Sequence, residues 1–316
     1  MIIKLAILDA HADNPGDLSW QPFTELAEVF LYDRTNQEEI ISRAKDCEAI
    51  FINKVQITEQ ILQHLPKLKY IGVCATGYNV VDLQACSKRG IVVTNIPFYS
   101  TAAVAQHVFS FILYFSNHVA LHNDSVHKGE WCTSLDFVYW KEPLTELAGK
   151  TLGIFGYGNI GAKVAEIGKA FDMNIIYNSR TKKDVGTEYV SFDELLKKSD
   201  ILSLHTPLTK ETKNIINKDS LAKMKKNALL INTARGGLVV EKDLAECLKN
   251  GKIAGFAADV VSVEPMEKDN PLLHCPNCIL TPHIAWAPKE TRQRLLNIAL
   301  DNFKCWLDGK PINKVN

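Results

Sequence analysis

Several absences narrow the chain before any motif is read. No apolar run approaches the roughly 20 residues that a membrane-spanning helix needs, and the opening MIIKLAILDAHADNPGD meets Asp9 before the apolar stretch of an export leader could form. A cytoplasmic protein is expected. Neither sign of charge is in excess, with 36 basic against 36 acidic side chains, so nothing in the balance points to nucleic acid. Internal repeats, low-complexity tracts and Pro/Gly/Ser linkers are missing as well, which leaves compact folded domains.

A metal site is also hard to assemble. The eight cysteines are scattered through a chain without an export signal and read as reduced, mostly buried thiols. His274, Cys275 and Cys278 in LLHCPNC form one CxxC, which could be half a zinc site or a redox pair, but structural zinc takes four ligands and there is no second pair. His118, His122 and His127 raise the same question, the first two on one helix face. With no carboxylate between His118 and His122, a solvated helix is the better reading, and no metal is expected.

What is present is an α/β pattern. Short runs rich in β-branched residues (IIKLAIL, EVFLY, EAIFI, KYIGVC, IVVTN) precede residue 96, and TLGIFG, NIIYN, ILSLH, ALLIN, IAGFAAD and CILTP follow residue 150, with helical stretches between them. At 316 residues the chain exceeds one ordinary domain of roughly 100 to 200 residues, and the pattern predicts two doubly wound domains. A discontinuous, smaller domain of flavodoxin-like type is expected from 1–100 and 285–316, to which the final helical stretch returns, and a Rossmann dinucleotide-binding domain from 101–284. TAAVAQHVFSFILYFSNHVALH (101–122) reads as one long apolar helix. The aromatic EWCTSLDFVYWKEPLTELAGK (130–150) reads as an arm that packs on a second subunit, or else as a loop capping the chain's own cleft.

TLGIFGYGNIGAKVAEIGKAF holds Gly156, Gly158 and Gly161 as GxGxxG between a strand and a helix. The first allows a tight turn, the second close approach to a pyrophosphate and the third close helix packing, while the helix N-terminus offers N–H groups to the anion. An NAD-binding unit wants a carboxylate about 20 residues further on, for the ribose hydroxyl. IIYNSRTKK (175–183) supplies Ser179 and Arg180 instead. A serine does not repel a 2′-phosphate and arginine can bind one through paired, charge-assisted bonds, so NADP(H) is favoured over NAD(H). The alternative is a solvated turn beside which NAD is accepted loosely.

Three strand ends carry chemistry: LLINTARGG with Arg235, GFAADVVSVEP with Asp259 and Glu264, and ILTPHIAW with His283. Ligands bind beyond the carboxyl ends of such strands. Arg235 can grip and polarise a 2-oxo acid, and His283 can give a proton while a nicotinamide gives the hydride. Glu264 beside an imidazole favours its charged form. Singly, each has a plain reading as an ion pair, a loop charge or a core histidine.

GYGNIG, NTARGG, ADVVSVEP and TPHIAW, in that order and at those separations, resemble the D-isomer-specific 2-hydroxyacid dehydrogenases over nearly the whole chain. The resemblance implies catalytic roles for Arg235, Glu264 and His283, with Asp259 contacting the nicotinamide. It also implies that Gly77 and Tyr78 in CATGYNVVD hold a substrate carboxylate through their N–H groups, with Thr76, Asn53 and Lys54 nearby. Thr101 and Val104 would face the cofactor, Asn159 and Ile160 belong to its glycine loop, and His205, Pro207, Thr233 and Ala234 would line its channel. INKV, ATGYNVVD and SLDFVYW look most like glycerate dehydrogenases and hydroxypyruvate or glyoxylate reductases, which implies a homodimer with Trp140 or a neighbour closing a small site across the interface. The expected activity is reduction of hydroxypyruvate or glyoxylate to D-glycerate or glycolate. The alternative is an NAD(P)(H)-sensing interaction protein like the corepressors that resemble this family. NAD-dependent members usually carry an aspartate where Ser179 stands, so their cofactor choice does not carry over. With the chain ending soon after its last helix, the regulatory domain of many phosphoglycerate dehydrogenases is not expected, and Glu264 disfavours the related formate dehydrogenases.

Overall fold

The computed structural model describes residues 2–316 and separates into two compact units, one reaching to Tyr99 and including Ala287–Asn316, the other spanning Ser100–Trp286. In the first, strands β1 (Lys4–Ile7), β2 (Glu28–Leu31), β3 (Ala49–Ile52), β4 (Tyr70–Val73) and β5 (Val92–Thr94) form one sheet in the order β2-β1-β3-β4-β5, every pair parallel. This is the flavodoxin-like winding, whose ligand crevice lies where the order reverses, between β1 and β3. All four residues of β3 and of β4 are buried, as expected of strands covered on both faces.

The helix Lys289–Leu307 closes this unit's core. Phe303 and Trp306 pack tilted against Tyr70 with ring centroids 5.7 and 4.8 Å away, and Phe51 meets Phe23, Tyr70 and Phe303 edge-on. A side chain at Gly72 would run into the Phe51 ring. At its start the same helix presents Arg292, whose guanidinium makes two 2.7 Å bonds to the Asp17 carboxylate. The paired geometry holds Asp17 below the usual carboxylate range.

The second unit contains β6 (Thr151–Phe155), β7 (Asn174–Asn178), β8 (Glu188–Tyr189), β9 (Ile201–Leu204), β10 (Leu229–Asn232), β11 (Gly255–Ala258) and β12 (Cys278–Leu280), ordered β12-β11-β10-β9-β6-β7-β8 and again parallel throughout. The run from β8 through β6 to β11 is the Rossmann order, extended by β12 at one edge. With two residues, β8 is too short to leave a periodic signal.

The single long helix expected over 101–122 is broken in two. The helix that begins at Thr101 stops at Asn117, and Val119–His127 is a separate helix. His118 between them is left-handed, with φ +48°, and its N–H closes the first helix on Tyr114 O. Hydropathy continues across the break, so pattern alone cannot see it. His118 and His122 therefore do not share a helix face as metal ligands would. His122 Nδ1 lies 2.9 Å from His118 O and its Nε2 accepts the Lys141 N–H at 3.1 Å, and no metal-holding cluster occurs among the described residues.

Asp13 is a fully buried acidic group in this unit, 1% exposed. Its carboxylate accepts Asn53 Nδ2 at 2.6 Å, and burial pushes it up to about 7 against the lowering effect of Asn53, Cys74 and Arg292. The native state thus holds the Asp13 proton more tightly than the unfolded chain, and this residue's contribution falls as pH rises from about 4 to about 7. Asp13→Asn should remove that slope: thermal melts are expected to show a higher Tm for the variant at pH 8 and little difference at pH 4.5. A lower Tm at pH 8 would contradict this account.

Candidate active site

The glycine loop follows β6. Gly156 takes φ +100°, and a Cβ there would lie 2.6 Å from the backbone of His205, so the turn after β6 packs directly on the turn after β9. A Cβ on Gly161 would meet Gly156 O, which fixes the start of the helix Asn159–Ala170 against the loop. Gly158, by contrast, caps that helix with open space in front of it: a Cβ there would meet nothing within 4 Å. The first-turn N–H groups of Asn159, Ile160 and Gly161 belong to this end, where a helix offers unpaired donors and a partial positive charge.

β7 ends at Asn178, whose Nδ2 donates to Val190 O, and no carboxylate follows before Asp184. Ser179 Oγ donates to Thr181 O at 2.7 Å, and Arg180 is exposed. Lys183 reaches back to donate to Tyr157 O at 2.7 Å, and the Tyr177 hydroxyl holds both its N–H and its carbonyl. A lysine thus ties the loop after β7 to the glycine loop, a role that the sequence pattern did not assign.

The remaining residues stand on adjacent strand ends. His205 follows β9; its Nε2 lies 2.9 Å from Ser203 Oγ, and burial pushes the ring down to about 3, which keeps it neutral. Pro207 lies on the exposed loop beyond it. At the end of β10, buried Asn232 organises the following turn, accepting the Ala234 N–H and donating to Arg235 O. Arg235 is exposed and donates to Ala234 O. Gly236 has no room for a side chain because the Val261 backbone sits against it, so the loops after β10 and β11 are packed together. Thr233 Oγ1 is buried without a hydrogen-bond partner among the described residues, an orphan that calls for an incoming polar group. Val104 is buried on the helix Thr101–Asn117.

Glu264 Oε2 and His283 Nδ1 are 2.6 Å apart, and Glu264 Oε1 accepts the Val261 N–H at 3.2 Å. The carboxylate therefore faces one ring nitrogen of the histidine, and Nε2 is the other working end of the ring. His283 has φ +57°, a conformation few side-chain-bearing residues adopt, and its N–H closes on Thr281 O at 3.0 Å. Asp259, 1% exposed, makes this turn possible: it accepts Ile284 N at 2.8 Å, Ala285 N at 2.7 Å and the Thr281 hydroxyl at 2.5 Å. Glu241 braces the loop after β11 by accepting Ser262 N and Oγ and Asn270 Nδ2. Glu241 and Thr281 escaped the sequence reading because a helix-start glutamate and a threonine before proline have ordinary local explanations.

In the first unit, Lys54 and Asn53 follow β3, and Thr76, Gly77 and Tyr78 follow β4. Asp9, just past β1, accepts the N–H groups of Asn53, Lys54 and Val55 at 2.7 to 3.0 Å. Thr76 donates to Ile96 O and accepts, through its carbonyl, from Asn95. An aspartate directly after the first strand of a parallel sheet was the available signal for Asp9.

Comparison with known proteins gives these residues a context. Residues 109–285 match the family model described as D-isomer specific 2-hydroxyacid dehydrogenase, NAD binding domain. The chain is 44% identical over 321 residues to the hydroxypyruvate reductase of Blautia hydrogenotrophica, covering 99% of this chain and 100% of that one. It is 41% identical over 318 residues to the glycerate dehydrogenase of Methylorubrum extorquens, covering 100% and 99%. The NADPH-dependent glyoxylate/hydroxypyruvate reductase of Sinorhizobium meliloti, solved with NADP and malonate, superposes with a TM-score of 0.85 at 28% identity, over 100% of this chain and 97% of that one.

The two loop glycines separate folding from binding. Gly158→Ala should leave Tm within about 1 °C of the parent, because the added methyl meets open space, yet weaken dinucleotide binding at least ten-fold by blocking close approach of a pyrophosphate. Gly156→Ala should lower Tm outright, given its φ of +100° and the 2.6 Å contact. Unaltered NADPH and NADH binding by Gly158→Ala in fluorescence titration would remove this loop from the cofactor site.

Proposed function

The chain belongs to the D-isomer specific 2-hydroxyacid dehydrogenase family, and from that premise we propose that it reduces a small 2-oxo acid, hydroxypyruvate or glyoxylate, to the D-2-hydroxy acid with NADPH in preference to NADH. The Glu264–His283 pair at 2.6 Å, on the strand-end rim that also bears Arg235, is the observation that carries the reading.

A dinucleotide fits the residues present. Open space at Gly158 and the orphan hydroxyl of Thr233 are both features that a bound molecule would satisfy. Gly156, Gly158, Asn159, Ile160 and Gly161 would hold its pyrophosphate, Ser179 and Arg180 the 2′-phosphate, and Val104, His205, Pro207, Thr233, Ala234 and Asp259 would line the rest. When bound, the cofactor supplies a hydride to the carbonyl carbon. His283 gives its Nε2 proton to the oxygen on which charge develops, while Glu264 keeps the Nδ1 proton in place and stabilises the charged ring before transfer. Arg235 attracts the acid and polarises the carbonyl. Lys54, Thr76, Gly77 and Tyr78 form the anion-holding loops of the first unit, where backbone N–H groups suit a carboxylate.

The preference for NADPH is supported by what stands after β7. Ser179 and Arg180 offer a hydroxyl and a guanidinium where a carboxylate would repel the extra phosphate, and the Sinorhizobium enzyme was solved with NADP. A homodimer is supported by the arm: Phe137 is 89% and Trp140 64% exposed, and Trp131 and Leu135 on the same segment are exposed as well. Such a cluster is costly to leave in water, and a second copy would cover it.

Purified protein with NADPH should reduce hydroxypyruvate or glyoxylate, followed by loss of absorbance; no turnover with any small 2-oxo acid would end the reading. His283→Ala is expected to lower kcat by about 10² to 10⁴, whereas Arg235→Ala should raise KM and lower kcat together. Arg180→Ala should cost about ten-fold in NADPH affinity and little for NADH, and equal losses would mean that it meets no 2′-phosphate. In sedimentation the parent should run as a dimer and Phe137→Asp with Trp140→Asp as a monomer; a monomeric parent would refute the arm's role.

A further inference from the structure

His107 lies on the helix Thr101–Asn117, three residues beyond Val104, with its ring edge-on to Phe111 at 4.6 Å. Its Nε2 is 3.0 Å from Thr281 Oγ1 and 3.7 Å from Asp259 Oδ1. Thr281 has a single hydroxyl proton, and the 2.5 Å bond it donates to Asp259 Oδ1 uses it. The Thr281 oxygen can then only accept from the imidazole, so Nε2 must carry a proton. Burial holds the ring's affinity for a second proton down, opposed by the nearby Asp259 charge. A neutral His107 in the Nε2–H form satisfies every contact.

The chain of donors runs in one direction: His107 Nε2–H to Thr281 Oγ1–H to Asp259 Oδ1, which also takes the Ile284 N–H, while Oδ2 takes the Ala285 N–H. The turn so gripped, 281–285, is the one in which His283 holds its left-handed backbone. We propose that His107 is a positioning residue for His283: by fixing the direction of the Thr281 hydroxyl it locks the Asp259 carboxylate onto the turn, and so sets the angle at which the imidazole meets its substrate. The inference rests on the reading of His283 as proton donor. It differs from a packing role because it needs a donor at one atom, which Phe lacks and Gln supplies.

The test uses the full chain with NADPH and the 2-oxo acid it turns over, comparing His107→Phe, His107→Gln, Thr281→Val, His283→Ala and His107→Phe combined with His283→Ala. His107→Phe should lower kcat about ten-fold, the scale of one lost buried hydrogen bond, with KM for NADPH and substrate moved less than about two-fold. His107→Gln should recover most of it, and Thr281→Val should reproduce the loss. On the His283→Ala background His107→Phe should have no further effect. Independently of turnover, the ¹⁵N–¹H signals of the His283 ring should move in His107→Phe and return in His107→Gln. Parent-like kcat in His107→Phe, no rescue by Gln, or the same fold-loss without His283 would each overturn the inference. Should His107→Phe fail to fold, Thr281→Val and the ring signals in His107→Gln decide it. Unchanged kcat in His283→Ala would instead refute the proton-donor reading itself.

Discussion

Every paired strand in both sheets runs parallel, and the placement of the functional residues follows from that constraint. A parallel strand cannot return by a hairpin, so each is followed by a crossover, and all the loops that leave strand ends emerge on one edge of the sheet. Arg235, Asp259 and His283 are separated by up to 48 positions in sequence, yet they follow β10, β11 and β12, which are neighbours in register through Asn232, Ala258 and Leu280. The glycine loop leaves β6 along the same edge, at the point where the order reverses.

Within that frame, carboxylates that accept backbone N–H groups do the local work. A carboxyl group as enclosed as Asp259 is costly unless its oxygens are satisfied, and here two backbone N–H groups and a hydroxyl satisfy it while holding a non-glycine residue in the left-handed region. Asp9 serves the loop after β3 in the same way, gathering three successive N–H groups on one oxygen. Each carboxylate converts a flexible turn into a fixed one, which is what a proton donor or an anion loop needs in order to meet a reacting group at the correct angle.

The large features were legible because they have periods or fixed spacings. Strand runs, the GxGxxG and the three strand-end motifs are local patterns whose physical reason lies within a few residues. The break at His118 was not legible: apolar residues continue through it, and only the local φ of +48° separates the two helices. The two-residue β8 is too brief for any period, and the grip of Glu241 on Ser262 and Asn270 joins positions over 20 apart.

Sequence by itself determined which residue types were available: a serine and an arginine where a carboxylate would stand, a glutamate and a histidine 19 positions apart, glycines where a turn must be tight. Tertiary structure alone decided how they are held. That His283 meets Glu264 through Nδ1, that Lys183 reaches the glycine loop at Tyr157, and that His107, 174 positions before Thr281, sits within hydrogen-bond reach of it are consequences of strand order and helix packing. A hydrogen bond is set by distance and direction in space, and chain separation carries neither.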